Sequence, residues 1–386
     1  MIPYGRQDIS DDDVDAVVDV LRSDFLTQGP VVPRFEERVL AHCSARHAVA
    51  VNSATSALHI ACLALGLGKG DWLWTSPITF VASANCALYC GARVDFVDID
   101  PRTYNMCPVR LADKLALAER EGRIPKVVVP VDLCGQPCHL KEIRKLSDKY
   151  GFHILEDASH AIGSSYLGEP TGNCRYSDIT VFSFHPVKII TTGEGGMALT
   201  NDAALAERMQ LLQSHGITRN PAQMVRAPSG SWYYEQVALG FNYRMTDIQA
   251  ALGISQMGRL EEFVARRHIL ARRYDSLLAN FPVATPWQNP NGRSSLHLYV
   301  VRLEQAGIGG ARGEVFEAMR TAGIGVNLHY IPVYRQPYYE TMGFMPGYCR
   351  EAERYYSDAL TLPIYPSMTE AQQDTVIEAL GEAIAA

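Results

Sequence analysis

Short apolar runs recur along the first half of this chain, and segments with helical spacing alternate with most of them. The runs are Ala48–Asn52, Trp72–Thr75, Arg93–Val97, Lys126–Val131, Phe152–Asp157, Ile179–Phe184 and Gly196–Thr200. The intervening helices are expected from Ser53 to Leu65, Phe80 to Tyr89, Leu111 to Glu121 and Leu140 to Tyr150. Strands that read apolar on both faces belong in a mainly parallel sheet with helices on either side. In such a sheet the ligand lies beyond the carboxyl ends of the strands.

Two amphipathic helices should precede the sheet. Ser10 and Asp13 form a capping box for the first, along Val14, Val17, Val18 and Leu21. The second follows the break at Leu26–Pro30 and runs through Phe35, Val39 and Leu40. An irregular stretch, Ser214–Tyr243, leads to helices from Asp247 to Leu260 and on through Arg273. After Pro282 the character changes: a strand at His297–Leu303, a helix at Gly313–Ala322, a strand at Ile324–Leu328 and a closing helix at Thr369–Ala383. We therefore expect an α/β fold with a large domain over residues 1–250, including an N-terminal arm, and a small C-terminal α+β domain over 251–386.

Charge and cysteine usage narrow the function classes. A formal charge of −7 argues against a protein that neutralises nucleic-acid phosphates broadly. The first residues lack the apolar core of a leader, and no run approaches the roughly 20 apolar residues of a membrane span. The expectation is a cytoplasmic protein with neither a membrane nor a nucleic acid as partner. The nine cysteines are scattered without a framework, as reduced thiols would be. Cys134, Cys138 and His139 lack a second ligand pair at a zinc spacing, so a turn is expected there and no metal.

Lys188 stands out chemically. The chain has 35 Lys and Arg, of which only seven are lysine, and none follows Lys188. It sits between Val187 and Ile189, after an apolar run and before Gly193-Glu194-Gly195-Gly196. Arginine keeps its charge, whereas a desolvated lysine loses its proton and can form a Schiff base. The bland alternative is a lysine snorkelling from a strand end. Asn52-Ser53-Ala54-Thr55-Ser56 places small hydroxylated residues at a strand-to-helix turn, which suits a phosphate but also an ordinary N-cap. Asp157, at a strand end, can hold a protonated heteroaromatic nitrogen, bind a metal together with Glu156, or simply be solvated. A phosphate anchor, an aspartate and an amine in this order on a parallel sheet are what pyridoxal 5′-phosphate requires.

These blocks, with Ser183-Phe184-His185, Ser214-His215-Gly216 and Gly240-Phe241-Asn242-Tyr243-Arg244-Met245-Thr246-Asp247, resemble the DegT/StrS-like sugar aminotransferases over essentially the whole length. The resemblance implies the type I fold of pyridoxal-phosphate-dependent transferases, with Lys188 as catalytic residue forming the internal aldimine. It implies that Asp157 pairs with the pyridine nitrogen, that Phe80 stacks on the ring, and that Ala54, Thr55 and Ser183 hold the phosphate. Core packing is the other reading for Phe80. Asn242 and Arg244 would reach the cofactor phosphate or substrate of a neighbouring subunit, in a homodimer with shared sites.

The Ser159-His160-Ala161-Ile162-Gly163 variant is similar to the branch that makes UDP-4-amino-4,6-dideoxy-N-acetyl-β-L-altrosamine towards pseudaminic acid. His297-Leu298-Tyr299 and His329-Tyr330-Ile331-Pro332-Val333-Tyr334 also fit that branch, although Ile331 stands where a lysine is expected. On this resemblance His160 bonds the cofactor's phenolic oxygen or packs beside it. His329 and Tyr334 are substrate-pocket candidates, Tyr334 being equally suited to a second-domain core. The implied reaction transfers the amino group of L-glutamate to C4 of a UDP-4-keto-6-deoxy-N-acetylhexosamine through a pyridoxamine phosphate intermediate. Other UDP- or dTDP-keto sugars of the D-gluco series and a non-catalytic sugar sensor are the alternatives. A dehydratase, with histidine in place of the lysine, conflicts with Lys188; a cysteine desulfurase would need a loop cysteine, for which Cys174 and Cys349 are the candidates.

Overall fold

The computed structural model describes residues 1–304 and 311–385. β1 (Ile2–Pro3), α1 (Asp11–Leu21) and α2 (Val31–Cys43) come first. Then follow β2 (His47–Val51), α3 (Ala54–Ala64), β3 (Trp72–Thr75), α4 (Ala82–Tyr89), β4 (Arg93–Phe96), α5 (Pro108–Arg120), β5 (Val127–Val129), α6 (Leu140–Tyr150) and β6 (His153–Asp157). A hairpin of β7 (Ser165–Tyr166) and β8 (Glu169–Pro170) leads to β9 (Ile179–Ser183), β10 (Gly196–Thr200) and α7 (Ala203–Gln213). Within the irregular stretch β11 (Ile217–Thr218) pairs with β12 (Glu235–Gln236), and α8 (Asp247–Met257) and α9 (Leu260–Leu277) follow. The chain ends with β13 (Val283–Ala284), β14 (Gly292–Arg293), β15 (Tyr299–Leu303), α10 (Arg312–Thr321), β16 (Ile324–Gly325), α11 (Pro337–Glu340), α12 (Arg350–Asp358), β17 (Ala359–Leu362) and α13 (Glu370–Ala385).

The large sheet has seven strands in the order β2-β10-β9-β6-β5-β3-β4. Every pair is parallel except those of β10, which runs against both β2 and β9. The reversal is built by the segment between β9 and β10, which folds back so that the Phe184 N–H donates to the Gly195 carbonyl at 2.9 Å. Side chains alternate across the sheet as the pleat requires. Val49, Val51, Leu73, Val129, Leu155 and Val181 share one core with α3 and α4, while Ala48, Ala50, Phe182, Met197 and Leu199 share another with α2. α3 is apolar nearly all round because it is buried from Ser56 to Cys62, so it can run beneath the sheet to the site.

The capping box at Ser10 and Asp13 forms, and Asp13 does more than cap. Its buried carboxylate also accepts from Gln256 Nε2 and Arg259 Nη2, both at 2.6 Å, and so ties α1 to the end of α8 and the start of α9.

The division expected at 250/251 falls inside α8, which is one continuous helix. The apolar cores change over inside α9 instead. Leu260, Phe263 and Val264 join the core beside α2, whereas Leu270, Ala271 and Tyr274 join that of the small antiparallel sheet β13-β15-β17. Two further segments cross the line. β1 pairs with β16, and Val333, Tyr334, Tyr339, Ala352 and Tyr355 pack into the large-sheet core beside α3 and α4. The cause is physical: a single long helix can offer one end to each core, so composition does not mark the boundary. The strand expected over His297–Leu303 begins at Tyr299, and that over Ile324–Leu328 is limited to Ile324–Gly325.

Candidate active site

The strand ends converge on one cavity of about 870 Å³. Register explains the convergence: Gly196 stands opposite both Val51 and Ser183, and Asp157 stands opposite Val181. The turn after β2, the end of β6 and the loop after β9 therefore open on the same side. Of the residues expected from the sequence, Ala54, Thr55, Phe80, Asp157, His160, Ser183, Lys188 and His329 line this cavity.

Lys188 is held by its neighbours. Ile189 and Ile190 are buried in the core with Phe35 and Phe184, which pins the backbone on one side. The Lys188 N–H donates to the His185 carbonyl at 2.9 Å, a turn that turns the side chain back to the cavity. Burial pulls its amine down to about 8 against the opposing pull of the Asp157 charge. A useful fraction is then neutral near physiological pH.

Asp157 is buried and firmly oriented. Ser83 Oγ donates to Oδ2 at 2.6 Å, Ser159 Oγ donates to Oδ1 at 2.5 Å, and the Ser159 N–H donates to the same oxygen at 3.1 Å. Three donors hold the carboxylate at the cavity wall, which answers the question of a solvated strand end. Neither Ser83 nor Ser159 was expected. Ser159 could have been found from its place two residues after the aspartate, but Ser83 sits on α4, distant in sequence.

The N-terminus of α3 forms the opposite wall. Ser53 caps the helix by accepting from the Ser56 N–H at 3.1 Å, so the N-cap reading holds for that residue. The N–H groups of Ala54 and Thr55, in the first turn, have no intrahelical acceptor and belong to residues of the cavity wall. Gly196 makes the approach possible: a Cβ there would come within 2.4 Å of the Ala54 nitrogen. The residues present thus fit pyridoxal phosphate, with N–H donors at a helix start, a fixed carboxylate, and an amine of lowered basicity around one cavity.

Phe80 lies just before α4 rather than inside it, and is 59% exposed, so it is not a core residue. His160 is buried against His297, ring centroids 4.5 Å apart. Burial first, then the nearby Lys188 charge, holds its basicity well below the usual histidine range. Burial and Lys188 likewise pull His329 down to about 3. His329 Nδ1 is 2.9 Å from Thr361 Oγ1, which anchors it to β17.

Tyr334, expected in the substrate pocket, lies elsewhere. It is fully buried, with its ring 5.8 Å from that of Phe96, and its hydroxyl donates to Glu353 at 2.7 Å. It does not reach the cavity, and it belongs to the large-sheet core rather than to the second domain. Asn242 and Arg244 also lie off the cavity wall. Both sit on the segment that runs beside the end of β2, where Val51 bridges to Arg244. Asn242 is exposed, and Arg244 Nη1 donates to Ser214 Oγ at 3.0 Å. Cys174 and Cys349, the loop cysteines a desulfurase would need, are both buried. Tyr330, Tyr4, Asn327, Glu194 and Gln249 line the cavity without having been expected.

The sequence pattern of the DegT/DnrJ/EryC1/StrS aminotransferase family matches residues 7–381. The chain belongs to this family. It is 38% identical to the spore coat polysaccharide biosynthesis protein SpsC of Bacillus subtilis, covering 99% of this chain and 97% of that one. It is 36% identical to a UDP-4-amino-4,6-dideoxy-N-acetyl-β-L-altrosamine transaminase of Campylobacter jejuni, covering 95% of this chain and 93% of that one. Spr1654 from Streptococcus pneumoniae, in its PMP-form, superimposes with a TM-score of 0.90 at 30% identity over 99% of each chain. Its PLP-form superimposes with a TM-score of 0.87. As a DegT-family sugar aminotransferase the protein is a transaminase with a type I α/β fold, and its cofactor is pyridoxal 5′-phosphate. No helix among the described residues is long and apolar enough to cross a membrane.

Proposed function

We propose that this transaminase moves the amino group of L-glutamate to C4 of a UDP-4-keto-6-deoxy-N-acetylhexosamine of the L-altrosamine series, on the way to pseudaminic acid. The observation that carries the sugar assignment is the similarity to the Campylobacter jejuni altrosamine transaminase over 95% of this chain, at 36% identity. The cavity of about 870 Å³ supports a substrate larger than an amino acid alone.

Bound pyridoxal phosphate supplies an aldehyde that captures amines and a ring that accepts electrons when its nitrogen is protonated. Asp157 would keep that nitrogen protonated, held in place by Ser83 and Ser159. Ala54, Thr55 and Ser183 would hold the phosphate, and Phe80 would cover one ring face. Lys188 would serve as the general base and acid. Its Nζ takes the proton from Cα of glutamate in one half-reaction and gives a proton to C4 of the sugar in the other.

We read the working unit as a cytoplasmic homodimer. Asn242 and Arg244, off the wall of their own cavity, would serve the partner's site, which fits the exposure of Asn242. The second reading is a different nucleotide-linked keto sugar, and the similarity to SpsC, a spore coat polysaccharide biosynthesis protein at 38% identity, leaves it open to test.

The test is a single-turnover panel. Protein charged with L-glutamate is mixed with UDP- and dTDP-4-keto-6-deoxy sugars, and return of the visible cofactor band is followed. Fastest return with the UDP-linked L-series sugar supports the proposal. Faster return with a dTDP-linked or D-gluco sugar replaces it with the second reading.

A further inference from the structure

A hydrogen-bond chain beside Lys188 determines where one proton sits. The Cys134 backbone N–H donates to His160 Nδ1 at 3.3 Å, and a backbone amide has only a proton to offer. Burial and the neighbouring Lys188 keep the His160 ring neutral, so its single proton is on Nε2. Nε2 lies 3.2 Å from the Tyr330 hydroxyl oxygen and donates to it. The phenolic proton of Tyr330 is therefore not spent on His160, and among the described residues no protein group accepts it. Burial raises the Tyr330 phenol above its usual range, so that proton stays on. The ring is fixed as well: it lies over His160 at an interplanar angle of 27° and edge-on to His329 with centroids 4.9 Å apart. The hydroxyl is carried on a residue that lines the cavity with Lys188 and Asp157.

We propose that Tyr330 is a catalytic hydrogen-bond donor to the carbonyl oxygen of the keto substrate, and that His160 is the positioning residue that aims it. The proposal rests on the aminotransferase reading. In that reaction a C=O bond is replaced by C=N, and the oxygen leaves as water carrying both protons of the attacking amine. Negative charge builds on the oxygen as nitrogen attacks, and a donor fixed there stabilises it. The chain ends at Cys134, whose amide cannot release its proton, so Tyr330 contributes a hydrogen bond rather than a relayed proton. The same donor meets the keto group of 2-oxoglutarate in the return direction, and the test therefore does not depend on the sugar.

Tyr330→Phe holoenzyme, converted to its amine-charged form, is mixed with saturating 2-oxoglutarate and compared with wild type. The expected result is cofactor affinity within about twofold of wild type, read by absorbance, with a single-turnover rate reduced about tenfold to a hundredfold. The loss should fall in kcat rather than KM. A rate equal to wild type, or a loss confined to KM, overturns the proposal. Placing 2,3,5-trifluorotyrosine at 330 keeps the ring and the hydroxyl while making it more acidic. It should move the alkaline limb of the rate to lower pH, and an unmoved limb also overturns the proposal. Wild type that reacts with 2-oxoglutarate but with no nucleotide keto sugar refutes the sugar assignment and leaves the Tyr330 result standing.

Discussion

Gly196, the first residue of β10, lies so near Ala54 at the start of α3 that any Cβ on it would sit 2.4 Å from the Ala54 nitrogen. The nearest atoms are backbone, which cannot move aside as a side-chain tip can. A side chain here must push the α3 N-terminus away from Ser183, across the strand pair that joins them. Gly196→Ala should weaken pyridoxal phosphate binding at least about tenfold, or about 1.4 kcal/mol, with far-UV circular dichroism unchanged. Fluorescence titration of the apo protein measures it, and wild-type affinity would show that the phosphate is held elsewhere.

Asp157 depends on α4 for its orientation. Ser83 is 1% exposed, so removing its hydroxyl leaves Oδ2 buried without that donor. Hydrogen bonds to charged groups contribute about 1.5–3 kcal/mol. Ser83→Ala should lose about that much in urea unfolding of the apo protein, and turnover should fall roughly tenfold because the carboxylate is free to rotate. A variant as stable and as active as wild type would show that Ser83 does not orient Asp157.

The lowered basicity of Lys188 has a pH signature. A lysine amine ordinarily deprotonates near 10.5, whereas this one does so near about 8. Only the neutral amine attacks an aldehyde, so capture of pyridoxal phosphate by the apo protein should accelerate as pH rises from 7 to 9. The midpoint should lie near about 8, in stopped-flow traces of the visible band. A midpoint above 10 would mean that the amine faces open water.

Much of this site was legible because its chemistry sits at strand ends. Lys188, Asp157 and the Ser53–Ser56 turn each follow an apolar run, and parallel strands carry their carboxyl ends to one side of the sheet. Ser83 and Tyr330 were not legible, since neither lies near those runs; the crossover after β3 and a loop from the second half of the chain bring them in. Tyr334 was misplaced for a related reason. It follows His329 closely in sequence, but the turn at Val333–Arg335 directs its ring to Phe96 and away from the cavity. The domain division was hidden because α9 serves two cores at once.

Beneath Asp157 lies a pair of carboxyl groups with no role in the reaction. Asp132 Oδ2 and Glu156 Oε1 are buried oxygens without donors, while Cys138 N–H serves the other Asp132 oxygen at 2.8 Å and Thr180 and Ser177 serve the other Glu156 oxygen. One proton shared between them would satisfy both orphans. Burial above all, with the charge of Glu156 beside it, pushes Asp132 well up, and burial likewise raises Glu156. The folded chain then keeps a proton that the unfolded chain releases near the usual carboxylate range, so stability falls as pH rises above about 4. Asp132→Asn supplies a permanent donor and should flatten that slope in urea midpoints measured between acid and alkaline pH. An unchanged slope would show that the two carboxyls do not share a proton.

Lys188 is the amine expected to capture the cofactor. Borohydride reduction of the yellow holoenzyme, followed by peptide mass mapping, tests it directly. The expected result is a single pyridoxyl-phosphate adduct on Lys188, absent from Lys188→Ala. An adduct on any of the other lysines, or none on a protein that still turns over, would contradict it.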